Sequence, residues 1–182
     1  MVELTISYAR ENYEEIFLLG VRLQPGPQPA DLYALVLYYE VARGDANRPL
    51  TSDGRIVFFR AIAQATAILQ LGDAAFRKYG KAPGEVAYCY DLPEVLSRIA
   101  TGARDDGAHV LNFINELLDF VRATEHVVPE HYLRTLTTVA DWLTFDKRIA
   151  AVADTRGVQV TEIRDALFWC LGAIASNASI VD

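Results

Sequence analysis

The chain is poor in the residues that most often carry chemistry. Its 182 residues include two Cys, three His and one Met. Cys89 and Cys170 stand alone, outside any Cys-x-x-Cys or Cys/His spacing, so neither a disulfide framework nor a zinc site is indicated, and both are expected as small buried hydrophobes in a reducing compartment. Long apolar runs are also missing. Leu32 to Tyr39 and Ala166 to Ala175 are the longest, at 8 and 10 residues, against about 20 needed to cross a bilayer. The start, Met1-Val2-Glu3-Leu4-Thr5, lacks the basic and apolar regions of a secretory signal. A cytoplasmic location and no membrane are therefore expected. No Gly-x-Ser-x-Gly, Gly-x4-Gly-Lys-Ser/Thr or Gly-x-Gly-x-x-Gly occurs, so the common nucleophile-elbow and nucleotide-binding chemistries have no motif to stand on, and no cofactor is expected. Positive charge is scarce too. Net charge is -7, and without a Lys/Arg cluster to displace counterions, nucleic acid is a poor partner.

What is present is an ordinary globular composition, 52% hydrophobic and 23% charged, in a chain long enough for one sizeable core. Apolar residues recur at helical spacing in several places. Val110, Ile114, Leu117, Leu118 and Val121 make one stripe between His109 and Thr124. Leu133, Leu136, Ala140 and Leu143 make another, and Ile163, Leu167, Cys170, Leu171 and Ile174 a last one with Thr161 as its cap. Leu92-Pro93-Glu94 opens a helix with proline in its first turn. Helices are also expected over Tyr13 to Val21, Asp31 to Val41, Arg55 to Leu71 and Asp146 to Ala153. Gln24 to Pro29, with three prolines, is the clearest break. Val2 to Tyr8 and Glu85 to Tyr90 alternate or carry β-formers, and could pair as a small ribbon. These elements predict a mostly all-α fold, a single domain over 1–182 with six to eight helices and room for a minor two-stranded ribbon.

Three groups of residues are candidates for function. Arg104-Asp105-Asp106-Gly107-Ala108-His109 resembles the Arg-x4–6-His motif of HEPN-family ribonucleases, over six residues. The resemblance implies a dimerising helical bundle in which Arg104 stabilises the phosphate or leaving group, His109 transfers a proton and Asp105 takes the polar position. The same residues also suit a charged turn whose aspartates cap the next helix. A second group is acidic: Glu11 and Glu15 share a helix face at i, i+4 with Glu14 beside them, which suits a cationic partner or plain solvation. The third is aromatic. Tyr33, Tyr38 and Tyr39 would point around most of a helix, so at least one is expected near the surface or against a partner.

A metal is not expected. His109 and His126, 17 positions apart, lie about 25 Å apart on a continuous helix, and Glu116 with Asp119 supplies only two ligands on what reads as a solvated face. Without a dense catalytic constellation, the leading expectation is a non-catalytic protein-protein interaction module, an inhibitor, immunity-like or adaptor protein for a basic protein partner. Homo-oligomer formation is left open. The alternative is a metal-independent HEPN-like ribonuclease using Arg104 and His109.

Overall fold

A computed structural model describes residues 6–7, 15–41, 44–71, 85–102, 107–145, 148–149, 152 and 156–181. The chain divides into two compact units, Met1–Asp91 with Asn177–Asp182, and Leu92–Ser176. The second is thus inserted in sequence between the last two strands of the first.

The first unit overturns the all-α expectation, because it holds an eight-stranded mixed sheet. Its strands are β1 (Ile6–Ser7), β2 (Glu15–Arg22), β3 (Leu32–Val41), β4 (Gly44–Pro49), β5 (Thr51–Ser52), β6 (Arg55–Phe59), β7 (Val86–Asp91) and β8 (Ala178–Val181). One helix, α1 (Ile62–Leu71), belongs with them. Along the sheet the order is β1-β5-β6-β3-β2-β7, with β4 on β3 and β8 on β6.

The segments expected as helices over Tyr13 to Val21 and Asp31 to Val41 are, where described, the antiparallel pair β2 and β3, with Val21 opposite Leu32 and Glu15 opposite Tyr38. The physical reason lies in burial. A strand covered on both faces has no polar face, so its apolar run looks like that of a buried helix. In β3 the alternation is lost in just this way: Ala34 and Val36 are as buried as Leu35 and Leu37. Ile16 and Leu18 of β2, Leu35 and Leu37 of β3, and Val57 and Phe59 of β6 form one side of the core, with Ala65 of α1 packed among them.

The expected helix over Arg55 to Leu71 splits into β6 and α1. Its first part is the return arm of a hairpin, in which Ser52 faces Arg55 across a two-residue turn. Asp53 and Gly54 both take positive φ, 50° and 74°, as this type of tight turn requires. The ladder also forks. Leu50 donates its N–H to Leu35 O at 2.7 Å and accepts from Val57 N at 2.9 Å, so β4 stays on β3 while β5 leaves with β6. Among the described residues, the expected ribbon between the N-terminal segment and Glu85 to Tyr90 is not formed either. Ile6 and Ser7 pair with β5, and β7 runs parallel to β2.

The second unit is helical and follows the stripes: α2 (Leu92–Thr101), α3 (Gly107–Arg122), α4 (Glu130–Phe145) and α5 (Val160–Ser176). Five helices of this kind stand among the described residues, α1 included, in place of a bundle of six to eight. Val110, Ile114, Leu117 and Val121 are buried, as are Ile163, Leu167 and Cys170 of α5; in α4 Leu136 and Leu143 are buried with Val139, whereas Leu133 of the expected stripe is 38% exposed and Ala140 half-buried. The start of α5 is held by Glu162, whose carboxylate accepts the Gln159 N–H at 2.8 Å, with Thr161 already inside the helix. Most of Asp146 to Ala153 lies outside the described residues. Among the described residues, no helix is long and apolar enough to cross a membrane.

Candidate functional site

Of the expected site residues, Arg104, Asp105, Asp106, Glu11 and Glu14 lie outside the described residues. His109 sits in the first turn of α3, half-buried, and Gly107, expected within a turn, opens that helix. Glu15 begins β2 rather than lying on a helix face, half-buried opposite Tyr38. Tyr33 is 6% exposed and belongs to the sheet core. Tyr38 is half-buried. Tyr39 lies in β3 with its backbone opposite Ala46. Tyr33 and Tyr38 are five positions apart, so in a strand their side chains take opposite faces.

Glu116 corrects the solvated reading of the polar side of α3: it is 6% exposed. Asp119 remains nearer the surface and pairs with Arg122 one turn on. Among the described residues, no group of three or more His, Cys, Asp or Glu is placed to hold a metal ion.

The arrangement that does converge was not singled out from sequence. It is the corner where β2 and β7 end and the proline-rich connection leaves for β3. Asp31, expected to open a helix, instead ties this connection at both feet. Its Oδ2 accepts Leu23 N at 2.7 Å and Gln24 N at 3.3 Å, and its own N–H donates to Val21 O at 2.9 Å. Arg22, at the end of β2, donates Nη1 to Asp91 Oδ2 at 2.7 Å and Nη2 to Pro29 O at 3.1 Å. Cys89 donates its thiol to that same carbonyl at 3.1 Å. The strands come this close because residue 20 is glycine. A Cβ there would meet Ala30 Cβ at 3.2 Å and Cys89 Sγ at 3.3 Å.

The electrostatics of the corner suit recognition better than nucleophilic attack. Burial pushes the Cys89 thiol above its ordinary pKa; Arg22 pulls it down, but Asp91 and Asp31 oppose Arg22. The thiol stays protonated near neutrality and acts as a donor, since the thiolate is the reactive form.

Beside this corner runs β7, which ends the sheet order among the described residues. Its ladder with β2 shifts register between Leu18 and Leu19: Val86 faces Leu18 and Tyr88 faces Leu19, so Ala87 is the extra residue of a bulge. The consequence is local. Val86 and Cys89, three positions apart, both lie against the place a Cβ would take at Gly20, while Tyr88 and Cys89, which alternate in the regular ladder beyond the bulge, are both exposed. Tyr88 is 58% exposed and its ring meets Phe17 edge-on, with centroids 5.9 Å apart and planes at 84°. The signal for β7 as a strand was present in its Val, Tyr and Cys content. The bulge, the partner strand and the exposed ring were not visible, because each depends on β2, which is distant in sequence.

No known protein family, curated protein or solved structure matches this chain.

Proposed function

We propose that this protein is a non-catalytic, cytoplasmic interaction module, an inhibitor, immunity-like or adaptor protein that binds a basic protein partner. The observation that carries this reading is the exposed ring of Tyr88 in β7, backed by Phe17. A supported aromatic ring on an accessible surface is the kind of anchor that dominates protein interfaces. The net charge of -7 favours a cationic partner, whose approach it accelerates and whose competitors of like charge it repels.

The test uses Cys89 as a handle, since it is exposed while Cys170 is buried. A photo-reactive maleimide on Cys89 should cross-link a basic polypeptide in extracts of the native cell. Reconstituted from pure components, the pair should form a defined complex whose association slows as salt rises, because screening shortens the reach of charge to about 8–10 Å near physiological ionic strength. If no cross-linked candidate forms a complex on reconstitution, the reading is wrong.

A second reading, the HEPN-like ribonuclease, draws support from the placement of His109 in the first turn of a helix within an all-helical unit. Purified protein would then cleave single-stranded RNA without added metal, and His109→Ala would abolish cleavage without loss of helical signal. Undiminished cleavage in that variant, or none in the wild type, removes it.

A further inference from the structure

We infer that the outward face of α5, centred on Phe168 and Gly172, is where two copies of this chain pair, with their α5 helices antiparallel. This goes beyond the reading at Tyr88 and does not depend on it. Ala166 to Ala175 is apolar without a break, and a run of that length passes nearly three times around a helix. Ile163, Ala166, Leu167, Cys170, Ala173 and Ile174 take the inner side and are buried. At about 100° per residue, Phe168, Leu171, Gly172 and Ala175 share the opposite side. There Phe168 is 49% exposed, Gly172 and Ala175 are exposed and Leu171 is half-buried. A helix that is apolar all round is normally enclosed all round, whereas the outer side of this one meets solvent.

Shape and charge select a second copy as the occupant. In a two-fold pair one surface must complement itself, so that what one residue offers another on the same face accepts. Phe168 and Gly172 are one turn apart and do this. An antiparallel pair whose axis passes between them lays each Phe168 ring over the other copy's Gly172, where nothing beyond the helix backbone lies within 4 Å of a Cβ position. The same register brings Arg164 of each copy to the last turn of the other's α5. That turn has no basic residue of its own, and a cation placed there opposes the negative end of the helix dipole. Parallel pairing would instead set Arg164 against Arg164 and Asp165 against Asp165. Other occupants find less. Arg164 and Asp165 are exposed on the two rims of the face and cancel, so a strongly basic protein gains no net attraction here. Helices that lie on lipid carry several Lys or Arg on their polar side, and α5 carries Arg164 alone. One helix face falls short of the standard interface of about 800 Å² per partner, so the dimer is weak, with a dissociation constant on the order of 10–100 µM.

The experiment is sedimentation equilibrium of the full chain from about 5 to 500 µM, a range that brackets this affinity, with reductant present so that the exposed Cys89 cannot link copies. A monomer-dimer equilibrium is expected, and it should tighten as salt rises, because each copy carries a net charge of -7 and screening relieves their repulsion. Gly172→Gln splits fold from contact. In the monomer there is room for the side chain and a better helix former replaces glycine, so the urea midpoint should rise, while the dimer weakens at least about tenfold through loss of the close approach. Phe168→Ala should weaken it by a similar factor, roughly tenfold, as loss of an aromatic anchor does. Arg164→Glu should weaken it at least about fivefold, and adding Ser176→Arg to the same chain should restore it. Twelve positions span about 18 Å along one helix, so that rescue can act only between copies.

A chain still monomeric at about 500 µM, well above the expected dissociation constant, overturns the inference, as does a dimer that Gly172→Gln leaves intact or one that loosens as salt rises. So does a monomer that co-sediments with phosphatidylcholine vesicles through Phe168, which would give the face to lipid. A native complex that Gly172→Gln dissolves while the free chain is monomeric would give it to another protein and overturn the inference too. Failure of the reading at Tyr88, judged by cross-linking from Cys89, leaves the monomer-dimer equilibrium as it is.

Discussion

The sheet unit and the helical unit each hold their own fold by contacts of different reach. Each helix of Leu92–Ser176 completes its hydrogen bonds within itself and adds only an apolar stripe for its neighbours. The sheet works the other way. Leu18 finds Val86, and Ile56 finds Ala178 across the whole inserted unit. Pairings of this kind must overcome loop-closure entropy before they return any free energy. The sheet therefore depends on distant sequence for its order, and the helical unit on near sequence.

The strongest way to break this contrast is to open a cavity in each unit. Phe59→Ala removes a ring with 0% exposure from the sheet core, and Ile114→Ala removes an equally buried side chain from α3. The expected losses are about 3–5 and 2–5 kcal/mol respectively in urea unfolding. Hydrogen exchange locates them. Phe59→Ala should first lower protection in β2, β3 and β6, and Ile114→Ala in α3 and α4. Uniform loss across both units for either variant would mean that they unfold as one body, and the contrast would not survive.

The next effect belongs to the helical unit and depends on pH. Burial pushes the Cys170 thiol from its ordinary 9.0 up to about 11. Well below pH 9 both states keep the proton, so nothing is lost. Above it the unfolded chain ionises while the folded one cannot, and stability falls until pH passes about 11. The full loss is on the order of 3 kcal/mol, of which about 1 should be lost between pH 8 and 10. Wild type and Cys170→Ala, compared by urea midpoint, should converge over that range, because the shared titration of other groups cancels. A gap that stays constant with pH would show the thiol to be readily solvated.

The same difference in reach explains what could be read from the sequence. The stripe Val110, Ile114, Leu117, Val121 and the proline at position 93 mark α3 and α2 because helical periodicity and first-turn chemistry are local. β3 carries no such mark. Its run from Leu32 to Tyr38 is apolar without alternation, and only β2, β4 and β6 beside it decide between strand and helix. Asp53-Gly54 was a legible hairpin signal, outweighed by the helical spacing of Phe58, Ile62, Ala65 and Leu69 across what is in fact a strand, a turn and a helix. At the candidate site, β7 could be seen as a strand and the proline run as a break. That they meet through Cys89, Arg22 and Asp31 follows only from the parallel ladder with β2. Glu116 fails for a related reason: its spacing from Asp119 suggests one solvated face, and burial is a property of the packed neighbours.

A smaller effect should be indifferent to the unit. Gly54 in the sheet unit and Gly157 in the helical one have φ of 74° and 67°, and neither has an atom within 4 Å of where a Cβ would stand. Substituting Ala at either position meets only the backbone penalty for left-handed geometry, about 1–2 kcal/mol. Equal losses in urea are expected. A clearly larger loss at Gly54 would show that the turn also fixes the register of β5 on β6, so that a local change is amplified by the ladder.

The smallest effects come from two ion pairs, one of each reach. Arg98 and Glu94 are one turn apart on α2, 2.6 Å between Nη2 and Oε1, with side chains 27% and 45% exposed. The acid precedes the base at i, i+4, the better orientation, and such pairs contribute about 0.3–0.5 kcal/mol. Arg22 and Asp91 join β2 to β7 at 2.7 Å, less exposed at the carboxylate, 19%, and Arg22 is further fixed by the Pro29 carbonyl. Weaker screening and a guanidinium already held in place should raise its coupling to about 1 kcal/mol. Double-mutant cycles to Ala at low and high salt measure both terms free of the single-site costs. The helix pair should lose most of its coupling in high salt and the sheet pair should retain more than half. If the two couplings are equal and equally screened, Arg22 contributes nothing beyond an ordinary surface cation, and the junction of β2 with β7 must be held by the ladder and the close approach at Gly20 alone.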